Sequence, residues 1–262
     1  MIKEISSAQN PTIKTLLNLQ AKARNRKKEG VFVLEGLREI DRAIGCGYVI
    51  KEIFFNEDWS DAEIETYSKK GRQLLKINHA VFSKLAYREG VKNMVAVAEM
   101  KSFSLDEVSL SDNPLIVVLE TVEKPGNLGA ILRSADGAGV DLVIVCDQQM
   151  DIHNPNVIRN SLGGFFNVPT VQCASEDAIA FLEEKSVQIL STYLEASVAY
   201  YTVDMQIPTA LVVGSEAFGI SETWVKASAQ NIIIPMTGII DSLNVSSAAS
   251  IVMFEAKRQR SV

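Results

Sequence analysis

The chain has 262 residues, 47% hydrophobic and 22% charged, which suits one large or two ordinary globular domains and excludes wholesale disorder, a collagen-like repeat or a low-complexity fibre. No apolar run approaches the roughly 18 residues that cross a bilayer, and Met1-Ile2-Lys3-Glu4-Ile5 lacks the apolar stretch of a secretory signal. Cys46, Cys146 and Cys173 are scattered and odd in number, so the expectation is a cytoplasmic protein with neither membrane insertion nor a disulfide framework. The net charge of −6 is uneven: residues 1–105 carry 18 Lys/Arg against 13 Asp/Glu, and residues 106–262 carry 8 against 19. Residues 1–30 hold seven basic and two acidic side chains. Such a patch either draws in phosphate backbones through counterion release or is simply a solvated helical face.

In chain order, Asn10-Pro11 supplies an N-cap and a first helical residue, and the run to Lys28 then reads as a basic helix. Residues 31–34, 51–55, 73–77 and 94–98 are rich in β-branched or aromatic side chains and predict strands. Helices over 37–45, 60–70 and 80–87 fit between them, making a small α/β unit. The polar stretch 101–114 has the composition of a linker, which divides the chain into domains 1–105 and 106–262. Beyond it, 115–119, 142–146, 187–190, 210–213 and 231–234 are continuous apolar runs separated by helical stretches. That pattern predicts a parallel sheet covered on both faces, with ligands bound at the carboxyl ends of its strands.

The loops after those strands carry neither G-x-G-x-x-G nor G-x-x-x-x-G-K-[ST], so the common dinucleotide and phosphate-loop folds are unsupported. Instead Pro125-Gly-Asn127-Leu-Gly129 makes a turn with Asn127 at a plausible N-cap and Arg133 six residues further on. By itself that motif reads equally as a cap with a surface ion pair. Gly214-Ser-Glu216-Ala-Phe-Gly219 places a carboxylate at a strand tip between two glycines that let the backbone approach a ligand. The apolar strand near 231–234 breaks at Pro235, turns at Gly238 and starts a helix at Ser242 or Asn244. His79 and His153 are isolated, and no metal site is expected.

Together these three loops resemble the three motifs of the SpoU, or TrmH, family of RNA 2′-O-ribose methyltransferases within the SPOUT superfamily. Asn10-Pro-x-x-Lys14, the basic helix and Phe32-Val-Leu-Glu-Gly36 resemble the substrate-binding domain that precedes the catalytic domain in many members. The resemblance spans nearly the whole chain, with one departure at Lys124, where relatives often have an acidic or amide residue. It implies a small N-terminal α/β RNA-binding domain followed by an α/β SPOUT domain with a parallel sheet and a deep trefoil knot. S-adenosylmethionine is the cofactor it implies, in a cleft formed by Thr192, Gly214, Gly219, Ile234, Met236 and Leu243. The catalytic set carried over is Arg133, Asn127, Glu216, Ser242 and Asn244. Glu216 then either completes a polar wall or receives backbone N–H groups structurally.

The partners implied are RNA, ribosomal RNA ahead of tRNA, and a second copy of the chain joined through the knotted domain. The helix over 245–260 suits that interface or an ordinary core-facing position. Lys22, Arg24, Arg26, Lys27 and Lys28 are the RNA-binding candidates, followed by Arg38 and Arg88. The competing readings are a non-catalytic RNA-binding protein on the same scaffold and an enzyme that methylates a base. For the latter, the arginine-bearing first motif is the wrong signature.

Overall fold

The computed structural model describes residues 2–69, 73–86, 94–147, 150–195 and 197–261. Arg88 and the expected helix ends at Lys70 and Tyr87 lie outside the described residues. Two compact units are present: Met1–Lys101 with Asp151–Phe166, and Ser102–Met150 with Asn167–Val262. This differs from a single division between residues 105 and 106, because Asp151–Phe166 packs with the first unit. No helix among the described residues is long and apolar enough to cross a membrane.

The first unit contains β1 (Lys3–Ile5), α1 (Pro11–Ala21), α2 (Ala23–Glu29), β2 (Val31–Glu35), α3 (Leu37–Gly45), β3 (Ile50–Phe55), α4 (Asp61–Ser68), β4 (Gln73–Ile77), α5 (His79–Leu85) and β5 (Met94–Glu99). Its sheet runs β1-β4-β3-β5-β2, with β5 antiparallel to both neighbours and β1, β4 and β3 mutually parallel. Side chains alternate along β2, so both faces are buried. Val31 and Val33 join Ile13, Leu16 and Leu19 of α1 and Val81, Phe82 and Leu85 of α5 in one core cluster. From the other face Phe32 meets Tyr48 and three rings of the later segment, His153 (5.2 Å between centroids), Phe165 (6.1 Å) and Phe166 (6.4 Å).

The basic stretch is two helices, because the backbone is extended at Lys22, with φ −125° and ψ 114°. A helix end leaves carbonyls without partners. Here Arg26, one turn into α2, folds back and donates from Nη1 to the Leu19 (2.5 Å) and Gln20 (3.0 Å) carbonyls at the end of α1. Its Nε donates to Asp151 Oδ2 at 2.7 Å, and the residue is only 2% exposed. Arg26 therefore leaves the RNA-binding set: its guanidinium is consumed in closing α1 and neutralising Asp151. Lys22, Arg24, Lys27 and Lys28 are exposed, Lys28 pairing with Glu29 at 3.5 Å. Arg38 is also exposed and pairs with Glu39 at 3.0 Å.

The second unit holds β6 (Leu115–Glu120), α6 (Pro125–Ala138), β7 (Leu142–Cys146), β8 (Thr170–Cys173), α9 (Ser175–Glu184), β9 (Gln188–Thr192), β10 (Val198–Ala199), β11 (Thr209–Val213), α10 (Glu222–Ala227), β12 (Gln230–Ile233) and α11 (Val245–Arg260). Two helices between β7 and β8, α7 (Pro155–Ser161) and most of α8 (Gly164–Asn167), belong to the first unit. The sheet is entirely parallel, in the order β10-β12-β9-β11-β6-β7-β8. Ile116, Val118, Ile144 and Val212 pack with α9 and Trp224 of α10 on one face, and α11 packs against α6 and β11. Strand order reverses beside β6, whose successor in the chain lies on one side and β11 on the other. In an all-parallel sheet that is the place where a ligand crevice opens, at the carboxyl ends.

The buried cluster around Arg26 generates two predictions. Breaking a buried ion pair leaves an uncompensated charge, so Arg26→Met should cost about 3–5 kcal/mol in urea unfolding, against under about 0.5 kcal/mol for Lys27→Ala. Burial, the largest cause, holds the His153 ring down at about 4; Arg26 adds to this and Asp151 opposes it. The unfolded ring takes up a proton near 6.5, so stability is complete above that pH. It falls as pH drops toward 4, by on the order of 3 kcal/mol. His153→Gln should flatten the pH dependence of the urea midpoint between pH 5 and 6.5. An unchanged slope would remove His153 as its source.

Candidate active site

Strand β11 delivers the chain into Gly214, and the next five residues close a tight turn. Ser215 and Gly219 exchange backbone hydrogen bonds, both 3.0 Å, and the Ser215 hydroxyl accepts the Phe218 N–H at 3.0 Å. A Cβ added at Gly214 would stand 2.1 Å from the carbonyl carbon and oxygen of Gly219 and 2.5 Å from the Ile220 nitrogen. Gly219 has φ +68°, the left-handed region that favours glycine. The glycine at 214 is thus demanded by the loop folding onto itself, before any ligand arrives.

At the end of β6, Glu120 is 5% exposed and accepts the Ser221 N–H at 2.7 Å through Oε2. The structural carboxylate that receives a backbone N–H is Glu120, and Glu216 is left for other partners. Helix α6 begins at Pro125 with Lys124 in the cap position, so Asn127 is its third residue and not its N-cap. Freed from capping, the Asn127 amide donates to Glu216 Oε1 at 2.5 Å. Asn244 does cap α11, its Oδ1 accepting from Ser246 N at 3.0 Å. Its Nδ2 donates to Glu216 Oε1 at 2.8 Å and to Asn127 Oδ1 at 3.3 Å. Lys124 Nζ forms an ion pair with Glu216 Oε2. Hydrogen bonds from Lys124 and Asn127, then the charge of Lys124, hold the Glu216 carboxyl below its usual range, so it is ionised at neutral pH.

Behind this cluster lies a cavity of about 830 Å³, within the range of small-molecule and cofactor sites. All six residues expected at a cofactor cleft line it: Thr192, Gly214, Gly219, Ile234, Met236 and Leu243. The Thr192 hydroxyl, however, is turned into the sheet and donates to the Val212 carbonyl at 3.1 Å. Glu216, Ser242 and Asn244 also line the cavity, and Asn127 joins them through its hydrogen bonds. Arg133 is not brought to it. Six residues beyond Asn127 is about 120° away around a helix. There Arg133 is exposed, and no side-chain hydrogen bond or ion pair engages it among the described residues. Lys124, Glu195, Phe218 and Asp241 line the cavity too and were not singled out as site residues from sequence. Phe218 and Asp241 lie within the quoted loops, but no spacing distinguishes them; Glu195 follows β9 without any motif.

Residues 114–254, which contain all three loops, match the SpoU rRNA Methylase family, and residues 10–96 match the MRM3-like substrate binding domain. The chain belongs to the SpoU rRNA methylase family. This SpoU chain is 27% identical, over 98% of its length and 100% of the relative's, to the 23S rRNA (guanosine(2553)-2′-O)-methyltransferase RlmP of Bacillus subtilis. It is 30% identical to the 23S rRNA (uridine(2479)-2′-O)-methyltransferase of Streptomyces viridochromogenes, over 90% of this chain and 85% of that one. The crystal structure of an AdoMet-bound rRNA methyltransferase from Sinorhizobium meliloti superposes with a TM-score of 0.91 at 29% identity, covering 98% of each chain.

The two glycines of the β11 loop predict different outcomes. Gly214→Ala, which drives a methyl group into backbone, should weaken S-adenosylmethionine binding at least about tenfold by calorimetry. Gly219→Ala meets only the cost of a left-handed residue, about 1–2 kcal/mol, with open space around its Cβ, and should lose less. Equal losses in the two variants would contradict the steric account.

Proposed function

We propose that the protein is an S-adenosylmethionine-dependent methyltransferase that modifies a ribose 2′-hydroxyl of ribosomal RNA in the cytoplasm. The observation that carries this reading is the convergence of three SpoU-family loops on Glu216 at the mouth of one cavity of cofactor size. The cavity suits the cofactor chemically as well. Ile232, Ile234, Met236 and Leu243 give it apolar walls, while Glu195, Glu216 and Asp241 supply carboxylates that favour a cation. Thr192, Gly214, Gly219, Ile234, Met236 and Leu243 would hold S-adenosylmethionine. When bound, it supplies a methyl group activated on a sulfonium.

The chain's own residues must then position a poor nucleophile and manage its proton. Glu216 is a weak base because its donors stabilise the charged form, so its task is to bind the three loops together. Asn127 and Asn244 orient the carboxylate, and Ser242 adds a hydroxyl to the wall. Arg133 cannot accept the proton, since a guanidinium stays charged in proteins. Exposed on α6 and turned away from the cavity of its own chain, it acts at the cavity of the second copy in the homodimer. There it clamps the RNA phosphate and stabilises negative charge that develops on the attacking oxygen. A phosphate oxygen or water takes the proton. In the first unit, Lys22, Arg24, Lys27 and Lys28 engage RNA phosphates, a contribution that weakens with salt.

This reading includes the trefoil knot and a homodimer formed through the knotted domain. In support, β11 is inserted between β9 and β6, α11 returns against α6, and Ile239, Ile240 and Phe254 leave apolar surface exposed. Mapping ribose methylation by resistance to alkaline cleavage, with and without the gene, tests the function directly. A 23S rRNA transcript that accepts no methyl group from the cofactor would refute it. Arg133→Ala should lower kcat by about 10²–10³-fold with cofactor affinity nearly unchanged. Near-normal turnover would take the arginine out of the mechanism.

A further inference from the structure

Phe218 is 87% exposed, yet it lines the cavity. A ring in water on a loose loop would signify little, but the backbone that carries this one is fixed. Its own N–H is held by the Ser215 hydroxyl at 3.0 Å, and the Ser215–Gly219 backbone pair closes the turn beneath it. One side of that turn is pressed onto Gly214, and the other carries Glu216, tied to Lys124, Asn127 and Asn244. No other aromatic ring stacks on Phe218 among the described residues. The apolar side chains deeper in the cavity differ: Ile232 is fully buried and Val213 is 2% exposed. The molecule therefore presents an exposed aromatic ring at the rim on a fixed backbone turn, two residues from the carboxylate that organises the site.

We propose that Phe218 is a stacking platform for the base of the nucleotide whose ribose is methylated. The inference rests on the ribose-methylation reading above. A 2′-hydroxyl reaches deep into a concave cavity most readily from an unstacked nucleotide of a loop, bulge or end, and the exposed base then needs a new partner. That base is bonded to the sugar carbon adjacent to the reacting one, so it emerges at the rim while the hydroxyl faces Glu216. An aromatic ring accepts any base, because every base has a π-face. Phe218 thus positions the nucleotide and leaves the choice of nucleotide to other contacts. Fixing the backbone of the turn in advance keeps that part of the ordering cost out of the binding step.

The test uses an unmodified 23S rRNA transcript with Phe218→Ala, Phe218→Leu, Phe218→Tyr and Phe218→Trp. The Ala and Leu variants should lose about 10–100-fold in kcat/KM, mainly through KM, while Tyr and Trp stay near wild type. Leu keeps apolar area without a π-face, so it separates stacking from simple burial. Cofactor affinity by calorimetry should be unchanged in all four. The added tryptophan emission of Phe218→Trp, read as a difference from wild type, should be quenched by the transcript and not by S-adenosylmethionine alone. Quenching by the cofactor alone, or weaker cofactor binding in the Ala variant, assigns the ring to the cofactor and overturns the proposal. So does full activity of the Ala or Leu variant, or a change in oligomeric mass on light scattering. If the wild type fails to methylate the transcript, the parent reading falls, and the emission measurement still decides whether the ring meets a base.

Discussion

The carboxylate of Glu216 is the interaction on which the rest of the site depends. A carboxylate only accepts, and its two oxygens can take several donors at once. Here they take side chains 92, 89 and 28 residues away in the chain, from Lys124, Asn127 and Asn244. The Lys124 pair is largely open to solvent, and such pairs contribute little to stability. The two amides do more, because a planar donor fixes direction as well as distance. Their geometry sets where the first helical turn of α6 and the start of α11 stand relative to the β11 loop.

That meeting is possible because the sheet is wholly parallel and its order reverses beside β6. Loops from strands distant in sequence leave from one edge, and the fold supplies proximity that chain length would otherwise oppose. Within this frame Asn244 has two functions, its oxygen capping α11 and its nitrogen reaching Glu216. Gly214 has one that is purely steric, since the turn can close only where a side chain is missing. Position and chemistry are therefore fixed by the same few residues.

Much of this was legible in the amino-acid pattern, and the exceptions have physical causes. Apolar runs such as Leu115–Leu119 and Leu142–Cys146 announce strands buried on both faces, because little else accommodates five consecutive apolar residues. β1, β8 and β10 escape notice: they have three, four and two residues, too few for any periodicity to emerge. Asn127 looked like a cap because Asn favours that place, but Pro125 starts the helix two residues earlier and releases the amide for a tertiary contact. Arg26 looked like its basic neighbours. Only the break at Lys22, which turns one side chain of the set inward, separates it from them. Charge counting reports how much charge a stretch carries, and cannot report which member of it faces inward.

The segment Asp151–Phe166 lies between β7 and β8 of one unit and packs into the other, where Asp151 neutralises Arg26 and three rings surround Phe32. The polypeptide thus leaves the first unit, returns to it and leaves again, so no single scission yields two self-sufficient halves. A fragment ending at Lys101 would strand a guanidinium in apolar surroundings and strip one side of its sheet. Exchanging substrate modules between relatives of this architecture requires transplanting the excursion together with the head.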